Sequence, residues 1–136
     1  MTKPTDPIAR WHEIAAGRAP QDLADLIADD AVFESPVVHT PQRGKAISVK
    51  YLAAAMVVLG NGSFRYLNEW RAPRSAVLEF ESECEGVRIN GVDIIHWNED
   101  GRITHFKVMV RPLKAVNKLH ELMGRMLQQM AGAGPG

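Results

Sequence analysis

Residues 91–106, GVDIIHWNEDGRITHF, decide the fold class of this chain. β-Branched and aromatic residues alternate on both sides of Asp100-Gly101, a dipeptide typical of tight hairpin turns. We therefore predict two antiparallel strands, with a register that a bulge would shift by one residue. Counting outward from the turn predicts three cross-strand pairs: Asp93 with Val108, Ile95 with Phe106, and His96 with His105.

Asp93 is the unusual residue of this hairpin. A carboxylate inside a run of Val, Ile and Trp costs free energy unless it is paired or used. We interpret Asp93 as a pocket carboxyl, and the alternative is a structural acid hydrogen-bonded to a helix N-terminus or to Trp11. Because its neighbours Ile95 and Phe106 are apolar, we expect desolvation to raise its pKa.

Composition limits the class of protein. The 136 residues are 46% hydrophobic, which predicts one domain over residues 1–130 and a disordered tail over 131–136. Sixteen basic and sixteen acidic residues leave no net charge, so we expect no nucleic-acid partner. The single cysteine, the lack of a signal peptide and the lack of a long apolar run predict a soluble cytoplasmic protein with no membrane partner.

Helical periodicity dominates the first sixty residues and the last twenty. It predicts helices over residues 6–17, 19–30, 44–60 and 113–130, and a short strand over 31–36. From residue 63 to 111 the period is two, which predicts a four-stranded antiparallel meander. In its first strand, Phe64, Tyr66, Asn68 and Trp70 are expected on one face. These segregated elements predict an α+β fold in which a curved, mostly antiparallel sheet wraps around N-terminal helices, plus a C-terminal helix.

Two stretches carry a family resemblance. Residues 23–47, LADLIADDAVFESPVVHTPQRGKAI, and residues 91–106 resemble the nuclear transport factor 2-like superfamily, which includes SnoaL-like and ketosteroid isomerase-like domains. The resemblance spans roughly residues 8–112. It implies a cone-shaped fold with a hydrophobic pocket, in a member of unassigned function.

The resemblance to ketosteroid isomerase has implications residue by residue. The general base of that enzyme precedes the proline that ends the first strand, and Ser35 stands there in this chain. The tyrosine of its oxyanion hole falls on Trp11. Its neutral, protonated aspartate falls on Asp93, which is kept. Where other branches of the superfamily carry acids on the strands, this chain has Leu78, Phe80 and Val108.

His39, on the loop PVVHTPQRG, is the histidine positioned to replace the lost base as the catalytic residue, although the favoured interpretation is a solvated rim residue. Ser35 is either a ligand contact or, as the favoured interpretation, a turn hydroxyl. Tyr51, Tyr66 and Trp97 are either core or pocket residues. The expected ligand contacts are Trp11, Ser35, Tyr51, Tyr66, Phe80, Ile95, Trp97, Phe106 and Val108. No third ligand joins His96 and His105, so we expect no metal.

Two functions fit this pattern. The first is an isomerase, cyclase or dehydratase that acts on a small apolar carbonyl compound of polyketide, steroid or terpenoid type, with Asp93 as proton donor and no cofactor. In it, His39 or a water held by Ser35 removes the proton. The second is a non-catalytic module that binds a hydrophobic ligand. A third, a scaffold that only dimerises, leaves Asp93 unexplained.

Apolar residues on the outer face of the predicted sheet indicate a homodimer. Val77, Val92, Ile94 and Met109 are expected there, among the charged residues Glu79, Glu81, Arg88, Lys107 and Arg111. A second copy could bury these apolar side chains in a twofold contact. The alternative is that the final helix, with Leu119, Met123 and Met126, folds over the same face.

Overall fold

The computed structural model describes residues 6–17 and 20–132. A six-stranded sheet is the main element, with strand order β2-β1-β6-β5-β4-β3. The helices are α1 (Pro7–Gly17), α2 (Leu23–Leu26), α3 (Lys45–Leu59) and α4 (Leu113–Gly132), with a 3₁₀ turn at Pro20–Asp22. The strands are β1 (Ile27–Glu34), β2 (Gln42–Arg43), β3 (Arg65–Ala72), β4 (Ser75–Cys84), β5 (Val87–Trp97) and β6 (Ile103–Arg111). The α+β class is as predicted.

The hairpin of β5 and β6 has the predicted register. Asp93 pairs with Val108, Ile95 with Phe106, and His96 with His105. A bulge lies between His96 and Trp97, on the turn side of these pairs, so it does not shift them. In the turn, Gly101 has a φ of 78°, and Asn98 Oδ1 accepts hydrogen bonds from the N–H groups of Asp100 and Arg102 at 3.0 Å each.

The helices pack on one face of the sheet and enclose the core with it. The larger fully buried side chains come from both layers: Ile8, Leu23, Phe33, Leu52, Leu78, Phe80, Ile89, Ile95 and Ile103. Helix α4 contacts α3, β5 and β6, and it buries Leu119 and Met123 in the same core. The final helix therefore lies on the inner face, and the alternative in which it covers the outer face is wrong. In the described part of the chain, no helix is long and apolar enough to span a membrane.

Two predicted boundaries are corrected. The second helix ends at Leu26, because Ile27–Glu34 forms β1 and pairs in parallel with β6. Ladder hydrogen bonds to a central strand here outweigh a local helical pattern. At the other end, α4 extends to Gly132, so the start of the predicted tail is helical. Residues 133–136 of that tail lie outside the described residues.

A bulge in β3 divides its side chains between the two faces. Tyr66 pairs with Phe80, but the next pair is Asn68 with Glu79, so Leu67 is the extra residue. One inserted residue sends the following side chains to the opposite face. Trp70 therefore lies beside Val77 on the outer face, with 55% of its surface exposed, and the predicted alternation is wrong beyond Tyr66.

Gly91 allows β4 and β5 to pack closely. A Cβ added there would lie 2.6 Å from Phe80 Cζ and 2.6 Å from the backbone oxygen of Met109. We expect Gly91→Ala to lower the free energy of unfolding by about 1–3 kcal/mol, because neither neighbour has room to retreat. Gly124→Ala is the control: nothing lies within 4 Å of its added Cβ, and a helical alanine stabilises by about 0.5–1 kcal/mol. Urea denaturation of both variants tests this, and equal stabilities would contradict it.

Candidate active site

An apolar cavity lies between the inner face of the sheet and helices α1, α3 and α4. Its apolar walls are formed by Ala15, Phe33, Pro36, Leu52, Ala55, Met56, Leu59, Gly60, Phe64, Phe80, Phe106, Val108, Leu119 and Met123. Four further lining residues carry polar groups: Trp11, Ser35, Tyr66 and Asp93. The centre of a water molecule can occupy about 60 Å³ of it, which is room for about four to six waters.

Three of these polar groups form one hydrogen-bonded chain. The Tyr66 hydroxyl donates to Asp93 Oδ2 at 2.6 Å and accepts from Trp11 Nε1 at 2.8 Å. Trp11 comes from α1, Tyr66 from β3 and Asp93 from β5, so the chain joins three elements. Asp93 is only 5% exposed. Tyr66 is therefore the missed partner of Asp93, and Trp11 bonds to the acid only through it.

Burial controls the protonation of this chain. Desolvation raises the pKa of Asp93 to about 7, although the hydrogen bond from Tyr66 opposes that shift. Burial and the adjacent Asp93 raise the pKa of Tyr66 well above its usual value, so its hydroxyl stays a donor. A pKa in this range allows Asp93 to be protonated near neutral pH, and the protonated acid has an O–H to donate.

The structure brings most of the predicted contact residues to the cavity and leaves four elsewhere. Trp11, Ser35, Tyr66, Phe80, Asp93, Phe106 and Val108 line it. Tyr51 packs beside Phe33, with ring centroids 5.5 Å apart, and Ile95 is wholly in the core. Trp97 lies at the hairpin end of β5, away from the cavity wall. Side-chain alternation along a strand places residues on a face, but it does not show where along that face the cavity ends.

His39 is the fourth predicted site residue that lies outside the cavity. It is exposed and lines an open surface groove with Val38 and Met109, rather than the cavity. The expected replacement of the lost base by His39 therefore receives no support from its position. Ser35 reaches the cavity, but its Oγ accepts a hydrogen bond from the Val37 N–H at 3.1 Å, as a turn hydroxyl does.

A second cleft adjoins the cavity. It is lined by His12, Ala15, Ala16, Gly60, Asn61, Phe64, Arg65 and Tyr66, and four of these residues also line the cavity. His12 Nε2 lies 2.9 Å from Glu69 Oε1, and its ring meets the Tyr66 ring edge-on at 5.0 Å. Hydrogen bonds from His12 and Arg71 lower the pKa of Glu69. Sequence reasoning missed this pair, although the position of His12 beside Trp11 was a signal.

The predicted histidine pair is on the outer face. The rings of His96 and His105 stack at 5.7 Å, and His105 bonds to Glu34. Within residues 6–17 and 20–132, no three His, Cys, Asp or Glu side chains converge to hold a metal ion.

The raised pKa of Asp93 predicts a stability that declines with rising pH. Between about pH 4 and 7 the unfolded chain releases this proton while the folded chain keeps it, so unfolding is favoured as pH rises. We expect the wild type to lose up to about 4 kcal/mol across this range relative to Asp93→Asn. Urea denaturation of the wild type and of Asp93→Asn at several pH values measures this difference in the free energy of unfolding. The exposed Asp25→Asn is the control, and parallel curves for wild type and Asp93→Asn would contradict the prediction.

Comparison with known proteins places this chain in a family. The family model of the SnoaL-like domain matches residues 8–106. A protein named steroid delta-isomerase from Pseudomonas aeruginosa is 36% identical, with 93% of each chain covered and a TM-score of 0.89. No curated protein is significantly similar to the sequence.

More distant structures share the fold. A nuclear transport factor 2-like protein of unknown function from Mesorhizobium loti has 20% identity over 78% of this chain and 88% of its own, with a TM-score of 0.69. An epoxide hydrolase/cyclase-like enzyme of pyran ring formation in the polyether salinomycin has 15% identity, over 77% and 88%, with a TM-score of 0.63. With its family model, its hairpin and its cavity, the chain belongs to the SnoaL-like domain family, on the nuclear transport factor 2-like fold.

Proposed function

We propose that this protein binds a small, largely apolar molecule through a carbonyl or enol oxygen and changes it by acid–base chemistry. One observation carries the proposal: Asp93 is a carboxyl with a pKa of about 7, buried in an apolar cavity beside the Tyr66 hydroxyl. The names of two similar proteins, a steroid delta-isomerase and an epoxide hydrolase/cyclase-like enzyme, support an isomerase or cyclase among the three reaction types proposed, and a dehydratase would use the same acid–base chemistry.

Asp93 is the proton donor of this chemistry. A carbonyl oxygen gains negative charge as a neighbouring carbon loses a proton, and a neutral acid can donate a hydrogen bond or proton to it. Tyr66 fixes the carboxyl by bonding to one of its oxygens, and Trp11 fixes Tyr66. These proton transfers are redox-neutral, so the proposal requires no cofactor.

The cavity favours ligands at the small end of the polyketide, steroid and terpenoid range. Four to six waters correspond to roughly 120–180 Å³ of liquid, and an apolar cavity of about 150 Å³ accommodates one benzene ring. A four-ring ligand exceeds this volume and requires side chains of the cavity wall to move outward. A one-ring ketone is therefore the first probe to use.

A non-catalytic binding module is the second candidate function. The position of His39 outside the cavity favours it, because the expected base is then absent. Among the described lining residues of the cavity, Asp93 is the sole carboxyl, and no histidine or lysine joins it.

Binding should follow the protonation of Asp93. We expect the affinity for 2-cyclohexenone to be constant below about pH 6 and to fall about tenfold per unit above pH 7, because only the protonated acid can donate. Asp93→Asn should bind with no such pH dependence, and Asp25→Asn should behave as wild type. NMR titration from pH 5 to 9 measures this. Affinity independent of pH in the wild type would remove Asp93 from the site.

We also propose a homodimer through the outer face of the sheet. An apolar patch there consists of Trp70, Val77, Val92, Ile94 and Met109, in which Trp70 is 55% and Met109 51% exposed. Exposed aromatic and Met side chains are typical of interface cores. A second copy is the favoured occupant because Glu79 and Glu81 lie on β4 and Lys107 and Arg111 on β6, so a twofold contact can set the acidic row of one copy opposite the basic row of the other.

Light scattering tests the dimer. We expect the wild type at micromolar concentration to have twice the chain mass of 15.1 kDa. Trp70→Glu should give the monomer mass, because a charge in an apolar contact is costly to desolvate. Val57→Glu, on the exposed side of α3, is the control and should remain dimeric. A wild-type monomer at every concentration would overturn the proposal.

A further inference from the structure

We propose that His12, oriented by Glu69, is the general base of this site, and that it removes a proton from a carbon of the ligand whose oxygen Asp93 holds. The inference rests on the proposed function and supplies the base that neither Ser35 nor His39 provides. It places the carbon that loses the proton at the edge of the apolar cavity that faces the second cleft.

The cleft and the cavity are neighbours with a common wall. Ala15, Gly60, Phe64 and Tyr66 line both, so a small ligand bound at this shared edge would have its carbonyl oxygen towards Asp93 and the adjacent carbon towards His12. Tyr66 contacts both groups: its ring meets the His12 ring at 5.0 Å, and its hydroxyl donates to Asp93 at 2.6 Å.

Glu69 gives His12 the form that a base needs. When Nε2–H donates to the Glu69 carboxylate at 2.9 Å, the lone pair of the neutral imidazole is on Nδ1. No hydrogen bond to Nδ1 occurs among the described residues. A base held by a third group is the usual arrangement of an activated pair.

The surrounding charges hold Glu69 in place. Its second oxygen accepts from Arg71 Nε at 2.7 Å, and Arg71 also bonds to Asp6 at 2.7 Å, at the start of α1. Arg65, the cation of the cleft, is paired with Glu81 at 2.6 Å. The carboxylate of Glu69 is therefore the nearest described charge to His12, and it stabilises the imidazolium that proton removal creates.

The proposed step balances without an oxidant. A C–H bond beside the carbonyl breaks, its proton forms an N–H bond on His12, and its electron pair becomes the C=C bond of an enol. The carbonyl oxygen receives the proton or hydrogen bond of Asp93. The imidazolium then returns its proton to a different carbon, Asp93 recovers its own, and the net result is movement of a double bond.

Hydrogen exchange of a one-ring ketone tests the assignment. With 3-cyclohexen-1-one in D₂O, NMR follows both loss of the proton at the carbon beside the carbonyl and appearance of the conjugated isomer. We expect His12→Gln to bind the ketone as the wild type does but to lower the enzymatic exchange rate about 100-fold or more. Added imidazole should restore part of that rate. His120→Gln, an exposed histidine on α4, is the matched control.

Glu69→Gln separates catalysis from a structural role. Glutamine keeps an oxygen for His12 but loses the negative charge that favours the imidazolium, so the acidic limb of the pH–rate profile, where the base becomes protonated, should move to lower pH. A purely structural ion pair would lower the melting temperature of both variants and leave the exchange rate of the folded protein unchanged. That result would overturn the inference.

The remaining outcomes distinguish a failure of the His12 assignment from a failure of the proposed function. Exchange that is lost in Asp93→Asn but kept in His12→Gln would remove His12 as the base while Asp93 stays the acid of the proposed function. A wild type that binds the ketone but exchanges nothing would favour the binding module and overturn the inference. Absence of ketone binding would overturn the proposed function itself.

Discussion

The hydrogen bond from Tyr66 to Asp93 is the interaction on which the site depends. Asp93 lies in a low-dielectric interior, where a carboxyl without a partner would cost several kcal/mol. The phenol meets this need by donating a hydrogen bond that stabilises the ionised carboxylate, while desolvation still raises the pKa of Asp93 to about 7. No buried side-chain oxygen or nitrogen in the described residues lacks a hydrogen-bond partner. The acid is thus tolerated by the fold and still able to exchange a proton.

The sheet is built so that these two residues meet. Phe80 on β4 lies between them in the strand order, pairing with Tyr66 on one side and with Gly91 on the other. Because Gly91 has no side chain, the Phe80 ring can pack over β5 at this position, which is two residues before Asp93. The bulge at Leu67 then ends the inward run of β3, so the strand contributes Tyr66 to the cavity and Trp70 to the outer face. This one inserted residue therefore affects both the cavity and the outer face of the sheet.

Beyond the bulge, β3 also reaches back to α1. Glu69 and Arg71 bond to His12 and Asp6, which closes the sheet against the first helix. The exposed ion pairs contribute little to stability individually, since solvent screens them. Their main effect is geometric: they hold His12 in the cleft that adjoins an apolar cavity, whose described lining has Asp93 as its single carboxyl. The acid Asp93 and the proposed base His12 therefore both contact Tyr66, Asp93 through the hydroxyl and His12 through the ring.

The sequence by itself determined the hairpin, the fold class and the buried acid. Asp100-Gly101 and the period of two predicted the pairing of Asp93 with Val108, because turn chemistry and side-chain alternation are local properties. Resemblance to the superfamily located Trp11, and alternation placed Phe80 and Val108 on the inner face, where all three line the cavity.

Only the tertiary structure decided what those residues do together. β1 replaced the end of a predicted helix because β6 was available as a partner, and the bulge at Leu67 has no clear local sequence signal. The bond from Tyr66 to Asp93 joins residues 27 positions apart, and that from His12 to Glu69 joins residues 57 positions apart. His39 shows the converse, since its local sequence resembles a pocket rim although the loop carries it outside. The period of a sequence shows which side chains share one face of a helix or strand. A site also requires that residues of different elements come within contact distance, and only tertiary packing determines that.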